Sequence, residues 1–233
     1  MDFQVIVNNF EFLFVQGFLG FGGFVGGTLR LAIPAIVLGF PLGVIIGLGR
    51  LSKRRSIRFL ATIYVEFFRG VPLVMVIFWF WFIIPNLMRI SLPEYGIALT
   101  AFVVFEAAYL AEIVRAGIQS IPRNQYESAV STGLTIAQTY RLVVIPIALR
   151  LIIPPATNES LNLLKNSSVA LTIGVAELTF QTRQIETYTA RAIEALTAGT
   201  VIYLLLCLSI AVLASRLERR FAIPGMIVRV KAD

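Results

Sequence analysis

Apolar segments long enough to span a bilayer alternate with short polar connections along nearly the whole chain. A transmembrane helix needs about 20 predominantly apolar residues. Five stretches meet that length: residues 28–49, 59–84, 95–116, 142–164 and 195–214. Pro34, Gly39, Pro41, Gly43 and Gly47 predict that the first is a kinked helix that its neighbours approach closely. Ahead of it, Phe3, Ile6, Val7, Phe10 and Phe14 recur at helical spacing. They predict a short helix within residues 1–23, either lying along the membrane interface or packed against the bundle. The pattern as a whole predicts an all-α membrane protein. Its single transmembrane domain covers residues 24–220, and residues 221–233 form a tail.

One polar stretch stands out between the third and fourth spans: IPRNQYESAVSTGLTIAQTYRLVVIP, from Ile121 to Pro146. Glu127 to Ala129 suit a helix, and Gly133 interrupts it. Thr135 offers an N-cap hydroxyl, and Gln138 three residues on completes a capping-box pattern. The expectation is two short helices meeting at a glycine corner and lying flat on the membrane face. Nothing in the stretch resembles a catalytic pair.

Charge then decides which face that is. Lys53, Arg54, Arg55 and Arg58 follow the first span, and Arg216, Arg219, Arg220, Arg229 and Lys231 follow the fifth. Lys and Arg concentrate in short cytoplasmic loops, so both clusters belong inside. Five crossings from an outside N-terminus give the same answer at the C-terminus. The Ile121–Pro146 stretch then faces the cytoplasm, as a docking platform for a partner. Residues 1–23 carry no Lys or Arg and so lack the basic leading region of a cleavable signal peptide.

Composition narrows the chemistry. The chain is 58 % hydrophobic and 14 % charged, with a formal net charge of +7, and its mean hydropathy is +0.84. In so apolar a chain the basic residues mark loops rather than a nucleic-acid surface. The absence of histidine removes His-based acid–base, nucleophilic and metal chemistry. The single cysteine, Cys207, allows no disulfide within one chain and reads as a packing thiol. No Lys is preceded by Gly, so the phosphate-cradling Gly-x4-Gly-Lys-Ser/Thr loop is absent and any energy from ATP must come through a partner.

Polar groups within spans are expensive and call for an explanation. Glu66 and Arg69, and likewise Glu112 and Arg115, are three residues apart, so each pair can neutralise itself on one helix face; the four can equally border a polar pathway. Asn158, Asn162 and Asn166 recur at i, i+4 and i+8 on the fourth span with Lys165 beside them, which predicts one polar face. Such a face either lines a water-filled pathway or binds helices together through amide bonds.

Glu127-Ser128-Ala129, Gly133 and Val143-Val144-Ile145-Pro146 together resemble the EAA loop of ATP-binding-cassette importer permeases. That loop reads Glu-Ala-Ala, Gly after three residues, and Ile-x-Leu-Pro after nine; Ser128, Val143 and Ile145 depart from it conservatively. YVEFFRGVPLVMVIFWFWF, FEAAYLAEIVRAGIQSIPRNQ and LNLLKNSSVALTIGVAEL extend the resemblance to the polar amino-acid permeases, most of all the glutamate/aspartate type. The resemblance implies the type I importer permease fold, with five spans and cytoplasmic coupling helices, in a bacterial inner membrane. It also implies partners: cytoplasmic ATP-binding subunits that bind the ATP and Mg, a second permease chain, identical or paralogous, and a periplasmic solute-binding protein. This chain would bind no cofactor and would not itself be an enzyme.

Many relatives, particularly those for basic amino acids, carry an aspartate after the Lys of the fourth span, where this chain has Lys165-Asn166-Ser167-Ser168. Loss of a negative charge there suits an acidic or amide side chain. The expected substrate pathway comprises Asn158, Asn162, Asn166 and Ser167, with Arg69 or Arg115 supplying positive charge and Glu66 meeting the amino group. Glu127, Ser128, Ala129, Gly133 and Pro146 are the expected points of contact with the ATPase. Glutamine, asparagine or a basic amino acid is the alternative substrate. A secondary transporter would need inverted repeats, and the echo between YVEFFRG and YLAEIVRAG is too short to supply them.

Overall fold

The computed structural model describes residues 4–11, 13, 27–89 and 92–221, and among these there is no strand. Helix α1 (Gln4–Asn8) precedes α2 (Thr28–Arg50), α3 (Arg55–Gly70), α4 (Leu73–Met88) and α5 (Glu94–Gln119). Then come α6 (Arg123–Ser131), α7 (Ile136–Thr139), α8 (Ile145–Asn166), α9 (Leu178–Thr189) and α10 (Ala192–Phe221). Four helical stretches are long and apolar enough to cross a membrane, and a fifth crossing exists if α3 and α4 count as one. Phe3, Phe14, and the tail with Arg229 and Lys231 lie outside the described residues, so the expectations for them stand untouched.

The second span is not the single helix expected over residues 59–84. It breaks at Val71 and Pro72 into α3 and α4, bent by 106°. Pro72 has no N–H and pushes its predecessor into extended backbone, where Val71 sits at φ −111° and ψ 136°. With that bend, at most one of the two helices runs along the membrane normal.

The core is the seam between α2 and α5, and glycines set its spacing. A Cβ on Gly43 would lie 2.6 Å from Leu110 Cβ, and one on Gly47 would lie 2.7 Å from the Ala111 carbonyl oxygen. The two backbones therefore pack closer than any side chain permits, as in other membrane helix pairs built on small residues. Around the seam, Leu31, Ala35, Ala98, Ala101 and Phe102 are buried with Val76 and Ile77 of α4. On its other side α8 closes against α5, where Gly117 faces Ile152 at a distance that leaves no room for a methyl group.

The start of α2 is tied to the segment before α9. Gly27 N donates to Ala176 O at 2.8 Å, and Leu178 N donates to Thr28 Oγ1 at 3.3 Å. Glu177 caps α9 by accepting from the Thr179 and Phe180 amides, and it accepts from the Tyr203 hydroxyl at 2.8 Å. Burial pushes the Glu177 carboxyl up from its ordinary range, and these hydrogen bonds pull the other way.

The seam yields a direct test. Gly47→Ala should lower stability by about 1–3 kcal/mol through overpacking. Gly96→Ala, whose Cβ would meet only Pro93 at 3.6 Å, should cost nothing. Thermal unfolding of the detergent-solubilised protein measures both; equal midpoints for the two variants would contradict a glycine-set seam.

Candidate coupling surface and substrate cavity

The Ile121–Pro146 stretch folds around its glycine corner. Helix α6 ends at Ser131 with Thr132 as its C-cap, Gly133 takes φ +86°, and α7 begins behind a complete capping box between Thr135 and Gln138. Positive φ at Gly133 is what a Cβ would resist. The second helix is not a separate short one, however. It runs on through a π-helical turn, Tyr140–Val144, directly into α8, so the fourth span begins near Ile136 rather than residue 142. Pro146 supplies the reason: it lacks an N–H, and its ring would crowd a regular turn before it. The chain instead makes the wider bond from Ile145 N to Tyr140 O.

On this corner Ala129 is buried and anchors α6, whereas Glu127, Ser128 and Gly133 are exposed and Pro146 is half-buried. Exposed apolar side chains surround them: Val130, Ile136, Tyr140 and Leu142. Tyr126 packs edge-on to Tyr140, with centroids 6.0 Å apart, and joins the two arms of the corner. An acidic residue ringed by exposed hydrophobics is a surface shaped for a protein partner.

Charged residues from three helices meet a little deeper. Glu112 of α5 accepts from Arg50 of α2 at 2.5 Å and from Arg115 through two bonds, at 2.5 and 2.9 Å; Arg69 of α3 stands 4.0 Å away. Arg50 also reaches Glu66 at 3.0 Å. The expected pairing of Glu66 with Arg69 is therefore absent: Arg50, across the helix–helix contact, takes Glu66, and Arg69 turns to Glu112 and the face of Tyr109, 5.5 Å from its centroid. Arg50 had no signal in its local sequence beyond its charge.

Beside Tyr109 opens a cavity of about 410 Å³ lined by Phe105, Tyr109, Glu159, Asn162, Lys165 and Asn166. It holds two of the three asparagines of the stripe. Asn158 is exposed but does not line it. Ser167 is buried, its hydroxyl donating to Leu164 O at 2.8 Å, and is occupied with the backbone. Arg115 is held by Glu112 and by Gln119, and Glu66 lies with Arg50, so neither reaches the cavity. Arg69 and Lys165 each lie within electrostatic reach of Glu159. Glu159 was overlooked in the sequence, although a carboxylate inside an apolar span flags itself. Glu106 is a second such residue: it is fully buried against Gly39, and neither oxygen has a hydrogen-bond partner among the described residues.

Residues 39–223 match the family model described as "Binding-protein-dependent transport system inner membrane component". The chain belongs to that family. It is the permease of an amino-acid ATP-binding-cassette importer. It is 38 % identical over 210 residues to the glutamate/aspartate import permease protein GltJ of Escherichia coli K12, covering 85 % of each chain. It is 30 % identical over 220 residues to a protein of Bacillus subtilis named "Probable glutamine ABC transporter permease protein GlnM", covering 94 % of this permease and 98 % of that one. Among solved structures, an amino acid ABC transporter crystallised with histidines superposes with a TM-score of 0.85 at 32 % identity, covering 94 % of this permease and 99 % of that chain. The expected all-α, multi-pass importer fold is thereby established for this permease.

The charge cluster predicts unequal costs. Glu66→Gln removes a carboxylate whose side chain is 63 % exposed and should change stability by no more than about 1 kcal/mol. Glu112→Gln leaves three arginines short of a partner and should cost about 2–3 kcal/mol. Unfolding in detergent compares them, and a larger loss for Glu66 would refute the central place given to Glu112.

Proposed function

We propose that this permease carries an acidic amino acid, glutamate or aspartate, through the cavity beside Tyr109, powered by ATPase subunits docked on the Glu127 corner. The observation that carries the substrate reading is the cavity's charge. Lys165 and Glu159 line the cavity with one positive and one negative charge, and Arg69 stands over Tyr109 at its border, a set that complements an amino acid with one ammonium and two carboxylates. In this arrangement Glu159 meets the ammonium, Lys165 and Arg69 share the carboxylates, and Asn162 and Asn166 orient them by hydrogen bonds. The name of the Escherichia coli relative agrees with this reading. The two asparagines would also accept an amide side chain, so glutamine is the second reading, as the name of the Bacillus relative suggests.

The chain itself has no phosphate-binding loop, so ATP and Mg belong to separate subunits on the cytoplasmic side. The basic clusters after the first and last spans put the N-terminus outside and the C-terminus inside. A second permease chain and an external solute-binding protein complete the assembly. Closing of the ATPases would press on Glu127, Ser128, Ala129 and Gly133, and Pro146 marks where that force passes into α8.

Uptake measured against a panel of labelled amino acids, with the cognate binding protein present, tests the substrate. Arg69→Gln should reduce glutamate kcat/KM about tenfold or more, equivalent to one lost charge contact. Asn166→Asp should reduce it similarly by adding a like charge. Unchanged glutamate uptake in both variants would place the substrate elsewhere. Gly133→Asp should abolish uptake while membrane insertion persists, because a side chain at φ +86° distorts the corner; normal uptake would remove the coupling role.

A further inference from the structure

The strongest concentration of positive charge in the described structure takes no part in the transport site. Lys53, Arg54, Arg55 and Arg58 crowd the turn between α2 and α3 and the first turn of α3. Unlike Arg50, which is held by two glutamates, none of these four side chains has an acidic partner or a side-chain hydrogen bond among the described residues. No acidic residue occupies the first turn of α3, whose dipole adds positive potential there. Like charges gathered without a counter-ion repel each other, so the site is complementary to an anion from outside the chain.

The shape beside these charges says which kind. A cavity of about 350 Å³ is lined by Arg55, Arg58, Phe59 and Thr62. Phe59 and Leu60 are 65 % and 66 % exposed, and Ile63 is exposed one turn further along. Cationic heads and a hydroxyl at one end therefore adjoin bare hydrocarbon surface at the other. A soluble anion would use only the first part. An amphiphile with an anionic head and acyl chains uses both. The 106° bend after α3 supports the same conclusion. If α4 runs along the membrane normal, α3 is inclined steeply to it, which can hold its basic first turn at headgroup depth while its apolar side chains enter the hydrocarbon.

We propose that Arg55, Arg58, Phe59 and Thr62 form a binding site for an anionic glycerophospholipid, the two guanidiniums clasping its phosphate and Phe59 with Ile63 contacting an acyl chain. The basic clusters that orient the spans place this lipid in the cytoplasmic leaflet; binding itself requires only the geometry of α3.

The test uses the transporter complex in nanodiscs of phosphatidylcholine, and the association of spin-labelled phosphatidylglycerol is compared with that of spin-labelled phosphatidylcholine. Both nanodisc faces carry the same lipids, so the outcome does not depend on orientation or on the substrate. The wild type should prefer phosphatidylglycerol, and Arg55→Gln/Arg58→Gln should reduce the preference about thirtyfold, for two lost cation contacts. Arg55→Lys/Arg58→Lys should keep most of it and also controls for folding. Arg150→Gln/Arg216→Gln, an equal charge loss at exposed positions elsewhere, should leave it unchanged. Three results would overturn the proposal: an unaltered preference in the Arg55/Arg58 Gln pair; an equal loss in the Arg150/Arg216 pair, which indicates bulk charge; or displacement of the lipid by millimolar inorganic phosphate, which indicates a soluble-anion site. Loss of ATPase retention in the Gln pair, with lipid preference intact, would assign the patch to a protein contact instead.

Discussion

The meeting point of the C-terminal ends of α2, α3 and α5 depends on a single carboxylate. Glu112 pairs with arginines from three helices, Arg50, Arg69 and Arg115, and without it three like charges would face one another across partly buried helix contacts. The charge-assisted hydrogen bonds among them are directional, so they fix the relative rotation of the helices as well as their proximity. The glycine seam does the complementary work: it sets how near α2 and α5 stand, while Glu112 sets how they are turned. Together they make a rigid frame beside which the polar cavity opens.

Arg69 links that frame to the cavity. Its guanidinium is shared among Glu112, the ring of Tyr109 and the field of Glu159. On the proposed transport path an arriving anion would compete with Glu112 for it, and a shift of α3, which the bend at Val71 and Pro72 separates from α4, would alter that competition. On that reading, substrate affinity and helix arrangement would be coupled through one side chain, as alternating access requires.

Much of this was legible in the sequence, and the reasons differ by feature. Spans such as Thr28–Arg50 and Ala192–Arg216 are visible because uninterrupted apolar runs of that length have few other uses. The Thr135–Gln138 box was legible because capping is local chemistry. The break at Val71 and Pro72 was hidden because both flanks are equally apolar, and an average over a long window passes across it. The partners of Glu66 and Arg69 could not be read because spacing of three permits a pair but does not compel one, and Arg50 competed from another helix. Glu159 was a missed signal rather than an absent one: the asparagine stripe drew attention away from a carboxylate on the same turn. Asn158 lies on α8 but is exposed away from the cavity, and Ser167, just past the end of α8, is buried with its hydroxyl donating to Leu164 O.

The π-helical turn at Tyr140–Val144 has a mechanical meaning. Each extra residue in a helical turn rotates the part of the helix before it by about 100° relative to the part after it. The turn therefore fixes the azimuth at which Ile136 and Tyr140 are exposed, independently of how Ile147 and Ala148 pack within the bundle. Resolving that turn into a regular helix would be a rotary motion: it would swing the docking corner around the axis of the fourth span without sliding the span itself. A permease built this way has a torsional joint between its exposed glycine corner and the helix that borders its polar cavity.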